Sequence, residues 1–377
     1  MTIRTILAAG VYLVLVPLLG ATGSWTEAMS ATPFTDVQAP SREQNDVPIH
    51  GGRLERRDGN AGLQRAVDAV LAADQGPSWM AWSVPALSRP ESHHDWNQHG
   101  EGRCVLDEDG EFHNGNSITG GTTTIVVLAR ASRGRIDRLT FTDGRCTVDA
   151  GTRTVYWIEH VRPAESVGLL SGLIAAEARS TGDGDSGDHK SPGRGALGAL
   201  ALHDDATAEA ALERFVQPAN ARWLRRDAAF WLGASRGASG ARVVEQLARS
   251  DADESFRQHL TFVLSLTGES GVTTLIDLAR HDSSAGVRGQ ALFWLAQKAG
   301  QRATATLSRA VEDDPDREVR KRAVFAISQL PHDDAVPKLI DLARTHRDPE
   351  VRTQAMFWLG QSGDPRAVSF FESVLKQ

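Results

Sequence analysis

In the C-terminal half of the chain, apolar residues recur with the spacing of an α-helix. Val319, Ala323, Ala326, Ile327 and Leu330 fall at offsets 0, 4, 7, 8 and 11, one stripe along a helix. After a short turn, Val336, Leu339, Ile340 and Leu342 make the face of a second helix. Asp348 before Pro349 and Asp364 before Pro365 each supply an N-cap acceptor and a residue suited to the first helical turn. This hairpin then repeats. Arg225, Arg257, Arg288, Arg320 and Arg352 are followed five residues later by Phe230, Phe262, Phe293, Phe325 and Phe357, and successive Arg are 32, 31, 32 and 32 residues apart. Such a period predicts an all-α solenoid over 194–377, because one hairpin is too small to bury its own apolar face and must stack on its neighbours. In the first unit, counted from Arg194, Ala199 stands in the Phe position, as expected of a terminal repeat. Phe-Trp-Leu at 230–232, 293–295 and 357–359 recurs every second repeat, so a two-repeat block duplicated.

Upstream the period changes from helix to strand. Leu63, Val67, Val70 and Leu71 make an amphipathic helix that ends at Gly76-Pro77. Thr122 to Ala131 and Arg135 to Thr142 are β-rich runs joined by a tight turn at Arg133-Gly134; Arg145 to Val148 and Thr154 to Val161 follow, and Trp79, Trp82 and Val84 suggest an earlier strand. The pattern predicts an α+β module over 61–160: a small antiparallel sheet with a helix on one face, and Tyr156 and Trp157 on opposite faces. A connecting helix over 161–179 and a flexible linker over 180–193, which has no apolar residue, lead to the solenoid, whose first helix Ser191 and Pro192 cap. At the start, Arg4, the apolar run 6–19 and the small residues Ala21 and Gly23 read as a signal peptide over 1–23, with an uncleaved anchor as the alternative. Residues 24–60 read as a disordered lead-in.

The solenoid units resemble HEAT repeats, in particular the short phycobilisome-lyase-like kind. The matching residues are Asp348-Pro349-Glu350-Val351-Arg352, then Ala355, Trp358-Leu359-Gly360, Gly363-Asp364-Pro365 and Ala367-Val368. The resemblance covers about half the chain and implies an α-α superhelix; family members scaffold, bind proteins or in some cases catalyse. HEAT hydroxylases hold two irons through paired His-Glu dipeptides, and this sequence contains none.

Composition narrows the function further. With 377 residues, 41% hydrophobic content and net charge −7, the chain has room for two domains and no Lys/Arg-dense face for nucleic acid. Its only two cysteines, Cys104 and Cys146, are expected to form a disulfide in an exported, periplasmic or extracellular protein. His93, His94, Asp95, His99, Cys104 and His113 offer metal-ligand chemistry without the spacing of a known site. Asp183, Asp185 and Asp188 resemble a calcium loop only superficially, since the positions that need an apolar residue and a bidentate Glu hold Lys190 and Arg194. No cofactor, catalytic or metal site is therefore assigned.

What remains is the repeat surface. The Arg series is expected to be a structural ladder, with Asp253, Asp316 and Asp348 four residues earlier as partners. The Phe column lies about 145° from the apolar stripe of its helix. It is either a stack between repeats or a half-exposed column for a partner, while Trp231, Trp294 and Trp358 belong to the core stripe. The expected function is that of a non-enzymatic scaffold binding a protein or peptide on the concave face. An enzyme or metal protein using the 93–113 loop, or a lyase- or hydroxylase-type activity, is the alternative.

Overall fold

The computed structural model describes residues 49–73, 77–88, 104–106, 112–113, 123–144, 146–183 and 191–376. The signal peptide, most of the lead-in, His93, His94, Asp95, His99, Asp185 and Asp188 lie outside the described residues.

The N-terminal part contains β1 (Ile49–His50), β2 (Arg53–Asp58), α1 (Leu63–Ala73), β3 (Ser78–Pro85), β4 (Cys104–Leu106), β5 (Phe112–His113), β6 (Thr124–Ser132), β7 (Arg135–Asp143), β8 (Val148–Asp149) and β9 (Thr154–Glu159). Five strands form a sheet in the order β2-β9-β3-β6-β7, and four short ones form a second in the order β1-β8-β4-β5. The β6–β7 hairpin turns at Arg133 and Gly134, both with positive φ (53° and 68°), the geometry of a type I′ turn whose twist matches the flanking strands. The antiparallel expectation holds for β3–β6–β7, but β9 pairs in parallel with both β2 and β3, so the sheet is mixed. Strand β2 also corrects the disordered lead-in drawn to residue 60. Its sequence Arg-Leu-Glu-Arg-Arg-Asp has no period-two apolar pattern, and it is held at the sheet edge by backbone pairing to β9.

Both faces of the larger sheet are covered. Met80, Trp82, Val127, Phe141 and Tyr156 face α1 and the helices that follow; Trp79, Ala81, Val126, Leu128 and Trp157 face the smaller sheet. Cys104 and Cys146 are joined in a disulfide, with Cα atoms 6.3 Å apart, within the usual range for an S–S link.

Helix α2 (Pro163–Thr181) leads to the solenoid: α3 (Pro192–Leu202), α4 (Ala206–Phe215), α5 (Arg222–Ser235), α6 (Gly237–Ser250), α7 (Glu254–Leu264), α8 (Gly268–His281), α9 (Ala285–Ala299), α10 (Thr304–Asp313), α11 (Arg317–Ser328), α12 (His332–Thr345), α13 (Pro349–Gln361) and α14 (Pro365–Leu375). Asp348 and Asp364 accept from the N–H groups of Glu350 (2.9 Å) and Arg366 (2.8 Å), as N-caps should. Ser191 holds the N-cap position of α3, followed by Pro192, but its side chain makes no capping bond; Glu177, reaching from α2, accepts from Gly193 N (2.7 Å) and from Ser191 Oγ.

Sheet and solenoid share one core. Helix α3 lies directly on β7, and a Cβ at Gly195 would sit 1.9 Å from the carbonyl oxygen of Leu139. This is why the first repeat lacks the Phe: its helix faces the sheet where later repeats face another repeat. The tail of β3 continues the joint, with Leu87 N bonded to Leu202 O (2.9 Å) and Asp204 N to Pro85 O (3.1 Å). Beneath it, Trp82 Nε1 donates to Ser166 Oγ (2.8 Å), Ser166 Oγ lies 2.8 Å from His203 Nε2, and His203 Nδ1 lies 2.8 Å from Ala199 O. Only one proton arrangement satisfies every group: His203 is neutral, donates from Nδ1 to the carbonyl, and accepts the Ser166 hydroxyl at Nε2. Burial holds its pKa down to about 4, opposed by the Ala199 hydrogen bond and assisted by the Arg236 charge.

Candidate functional site

The repeated Arg and Phe sit on α5, α7, α9, α11 and α13, the motif helices. These helices pack on one another more extensively than α4, α6, α8, α10, α12 and α14 do. In a stack, the more closely spaced layer is the inner one, so the motif helices line the concave wall.

At the N-terminal end of these helices the five Arg form a ladder. Arg257 grips Asp282 through Nε and Nη2 (both 3.1 Å), and Arg288 grips Asp314 in the same fork (2.8 and 2.9 Å). Arg225 pairs with Asp251 and lies over the Phe256 ring. Each guanidinium also donates to carbonyls nearby in its own repeat: Arg257 to Asp251 O (2.7 Å), Arg288 to Asp282 O (3.0 Å) and Arg320 to Asp314 O (2.9 Å). The partner Asp belongs to the next loop, 25 or 26 residues on, rather than to the residue four positions earlier. Asp253 and Asp316 are occupied as N-caps of their own helices, accepting from Phe256 N and Val319 N, although Asp253 Oδ2 also lies 3.8 Å from Arg225. One rung departs from this register. His346 stands where an Asp is due, its Nδ1 accepts from Asp348 N (3.0 Å), and Arg320 reaches on to Asp348 (3.1 Å). Arg352 binds only the carbonyls of His346 and Arg347 among the described residues.

One and a half turns along, the Phe side chains meet. Phe230 stacks on Phe262 (centroids 6.2 Å, planes 7° apart) and Phe293 on Phe325 (6.1 Å, 6°). The joints between these pairs are made by tryptophan: Phe262 meets Trp294 at 5.0 Å and Phe325 meets Trp358 at 4.8 Å, each Trp touching the Phe beside it in its own helix. With Trp231 against Phe230, eight rings run unbroken across five helices. The two-repeat period has a steric basis, because α7 and α11 carry buried Val263 and Ala326 at the Trp position. The three Trp are half-buried and pack against the main core, so each serves the apolar stripe and this row at once. Four of the Phe are half-buried, and Phe357 at the end is 52% exposed. Beside the row, His259 Nε2 bonds Arg226 O (3.0 Å), and burial, with help from the Arg226 charge, holds the ring's pKa down to about 4.

The remaining candidates fall elsewhere. Asp183 accepts from Arg222 N (3.0 Å) at the start of α5, and Cys104, being disulfide-bonded, offers no thiolate. Among the described residues no group of three or more His, Cys, Asp or Glu is placed to hold a metal, and no helix is long and apolar enough to cross a membrane. Sequence reasoning missed Asp251, Asp282 and Asp314; their signal was a constant distance after each Arg.

Comparison with known proteins bears on the fold. The family model for HEAT repeats matches 272–343 and 305–377. A chain of the CpcE and CpcF complex of phycocyanin lyase from Nostoc sp. PCC7120 is 16% identical, with 43% of this chain and 98% of that chain covered and a TM-score of 0.33. Human deoxyhypusine hydroxylase, solved with glycerol, is 16% identical over 56% of this chain and 90% of that one, at a TM-score of 0.28. A structure of Kap95p with RanGDP gives 15% identity, 53% and 30% coverage and a TM-score of 0.35. No curated protein matches the sequence. Residues 272–377 are thus built of HEAT repeats, and the same helical hairpin and Arg–Asp rung continue upstream to Arg225.

Proposed function

We propose that this protein is an exported, non-enzymatic interaction protein that holds a protein or peptide segment against the inner wall of its solenoid, across Phe230, Phe262, Phe293, Phe325 and Phe357. The observation that carries this reading is the unbroken, half-buried aromatic row. A row needed only for packing between repeats would be expected to bury its rings, whereas this one keeps an edge open to solvent along its length. Rigid half-exposed rings are the surface that anchors a partner at small cost in side-chain entropy. Export rests on the apolar run at 6–19, and the disulfide suits an oxidising periplasmic or extracellular compartment.

The test is capture from an envelope or secreted fraction by the wild type and by Phe293→Ser/Phe325→Ser, with circular dichroism showing both folded. Loss of the captured protein in the variant supports the reading. Equal capture makes the row structural. Cell fractionation of the tagged chain tests export separately: recovery in the cytosol overturns that part.

A further inference from the structure

The motif helices carry a small excess of positive charge. Apart from the five ladder Arg, the motif helices α5, α7, α9, α11 and α13 hold six cations against four carboxylates; the six second helices of the hairpins hold eight cations against eleven. The carboxylates of the inner layer are already engaged. Glu318 pairs with Lys321, Glu350 with Arg317, Asp227 with Arg194, and Glu254 accepts from Gln258. Arg226 and Arg322 are exposed, and neither guanidinium has a carboxylate partner among the described residues.

Both flank the aromatic row. Arg226 lies one turn before Phe230 on the same face of α5, and its carbonyl is the group that His259 bonds from the next motif helix. Arg322 precedes Phe325 by three residues on α11 and lies across α9: a Cβ at Gly289 would fall 2.6 Å from Arg322 Cδ. A glycine inside a helix costs about 1 kcal/mol relative to alanine. Here its bare backbone is what leaves room for the Arg322 side chain against α9.

Resting on the proposed function above, we infer that the wall takes an acidic peptide in extended conformation, with carboxylates at Arg226 and Arg322 and apolar side chains on the rings between. The spacing follows from the stack. Because the Arg322 guanidinium lies over α9, with Nη1 3.0 Å from a Cβ at Gly289, it is two helix steps of about 9 Å each from α5, roughly 18 Å, and an extended chain rises about 3.3 Å per residue. The two acidic groups therefore stand about five or six residues apart.

The experiment uses the full chain and fluorescein-labelled synthetic peptides read by anisotropy. One peptide has two Asp pairs about six residues apart around a centre of alternating Phe and Ser; a second has Lys in place of Asp, and a third has the Asp pairs about twelve residues apart. The first binds at least ten-fold more tightly than the other two, and its affinity falls as salt rises from about 50 to about 300 mM, as screening requires. Arg226→Glu/Arg322→Glu, changes at exposed positions, reverses the preference between the Asp and Lys peptides. Gly289→Ala weakens the Asp peptide by displacing Arg322. Phe293→Ser/Phe325→Ser weakens all three. If the Phe variant weakens binding while charge reversal leaves the Asp-to-Lys ratio unchanged, the acidic partner is wrong and the binding wall stands. If no peptide binds, or the Phe variant binds as the wild type does, both readings fall.

Discussion

Acidification to pH 5 should loosen the joint between sheet and solenoid, and the magnitude follows from His203. The ring is fully buried, neutral, and held to a pKa of about 4; in the unfolded chain a histidine titrates near about 6.5. Between these values the unfolded state binds a proton that the folded state refuses, so stability is complete above about pH 6.5 and is lost as the pH falls towards the folded pKa. Each unit of pH in that window removes up to about 1.4 kcal/mol, so going from about pH 7.5 to pH 5 costs about 2 kcal/mol from this residue alone. The carboxylates of Asp58, Glu165, Asp205, Asp277 and Asp364 are held below their ordinary values, by hydrogen bonds that favour the charged form. Their contribution is lost only below about pH 4.5, as the pH falls through the folded values, so it leaves this window clear.

The assay is the urea midpoint at pH 7.5 and pH 5 for the wild type and for His203→Gln, whose amide can donate to Ala199 O and accept from Ser166 without titrating. His259 is also held to about 4 but is common to both proteins, so the difference in pH response isolates His203. The wild type loses about 2 kcal/mol more than the variant over this range. Equal losses, or a His203 ring that titrates near about 6.5 by NMR, would refute the buried relay from Trp82 through Ser166.

Other outcomes follow from single contacts. Arg288→Ala leaves Asp314 buried without its fork and is expected to cost about 3–5 kcal/mol in thermal or urea unfolding, whereas Arg352→Ala, which loses carbonyl hydrogen bonds only, costs about 1–2 kcal/mol. Gly195→Ala drives a methyl into the Leu139 carbonyl and is expected to lower the melting temperature despite the better helix former; Gly172→Ala in α2, with nothing within 4 Å of the added Cβ, raises stability by about 0.5–1 kcal/mol. Replacing Cys104 and Cys146 by Ser opens a link spanning 42 residues and is expected to cost about 2–4 kcal/mol, seen as a lower urea midpoint that reductant no longer shifts.

Much of the fold could be read from the chain because helix period and helix caps are local. Val319 to Leu330 marks its own face, Asp348 caps the residues beside it, and the Arg-to-Phe phrase sets the repeat length without reference to any other part of the molecule. Strand β2 had no such signal: its charged residues acquire structure only when β9 offers a parallel edge. The ladder partners were hidden for a related reason. An Asp four residues before an Arg on one helix looks like its mate, but Asp253 and Asp316 are spent as N-caps, and the carboxylate that faces the guanidinium comes from the next loop. Likewise the helical wheel placed Trp294 and Trp358 with the apolar stripe but could not show that the stacking of one repeat on the next also makes them the rings that join Phe262 to Phe293 and Phe325 to Phe357. The sequence by itself determined the hairpin, its period and its caps, all set by interactions within a few residues. Only the tertiary structure decided which surfaces meet, and hence that five separate Phe become one continuous wall and that the first repeat gives its Phe position to the sheet.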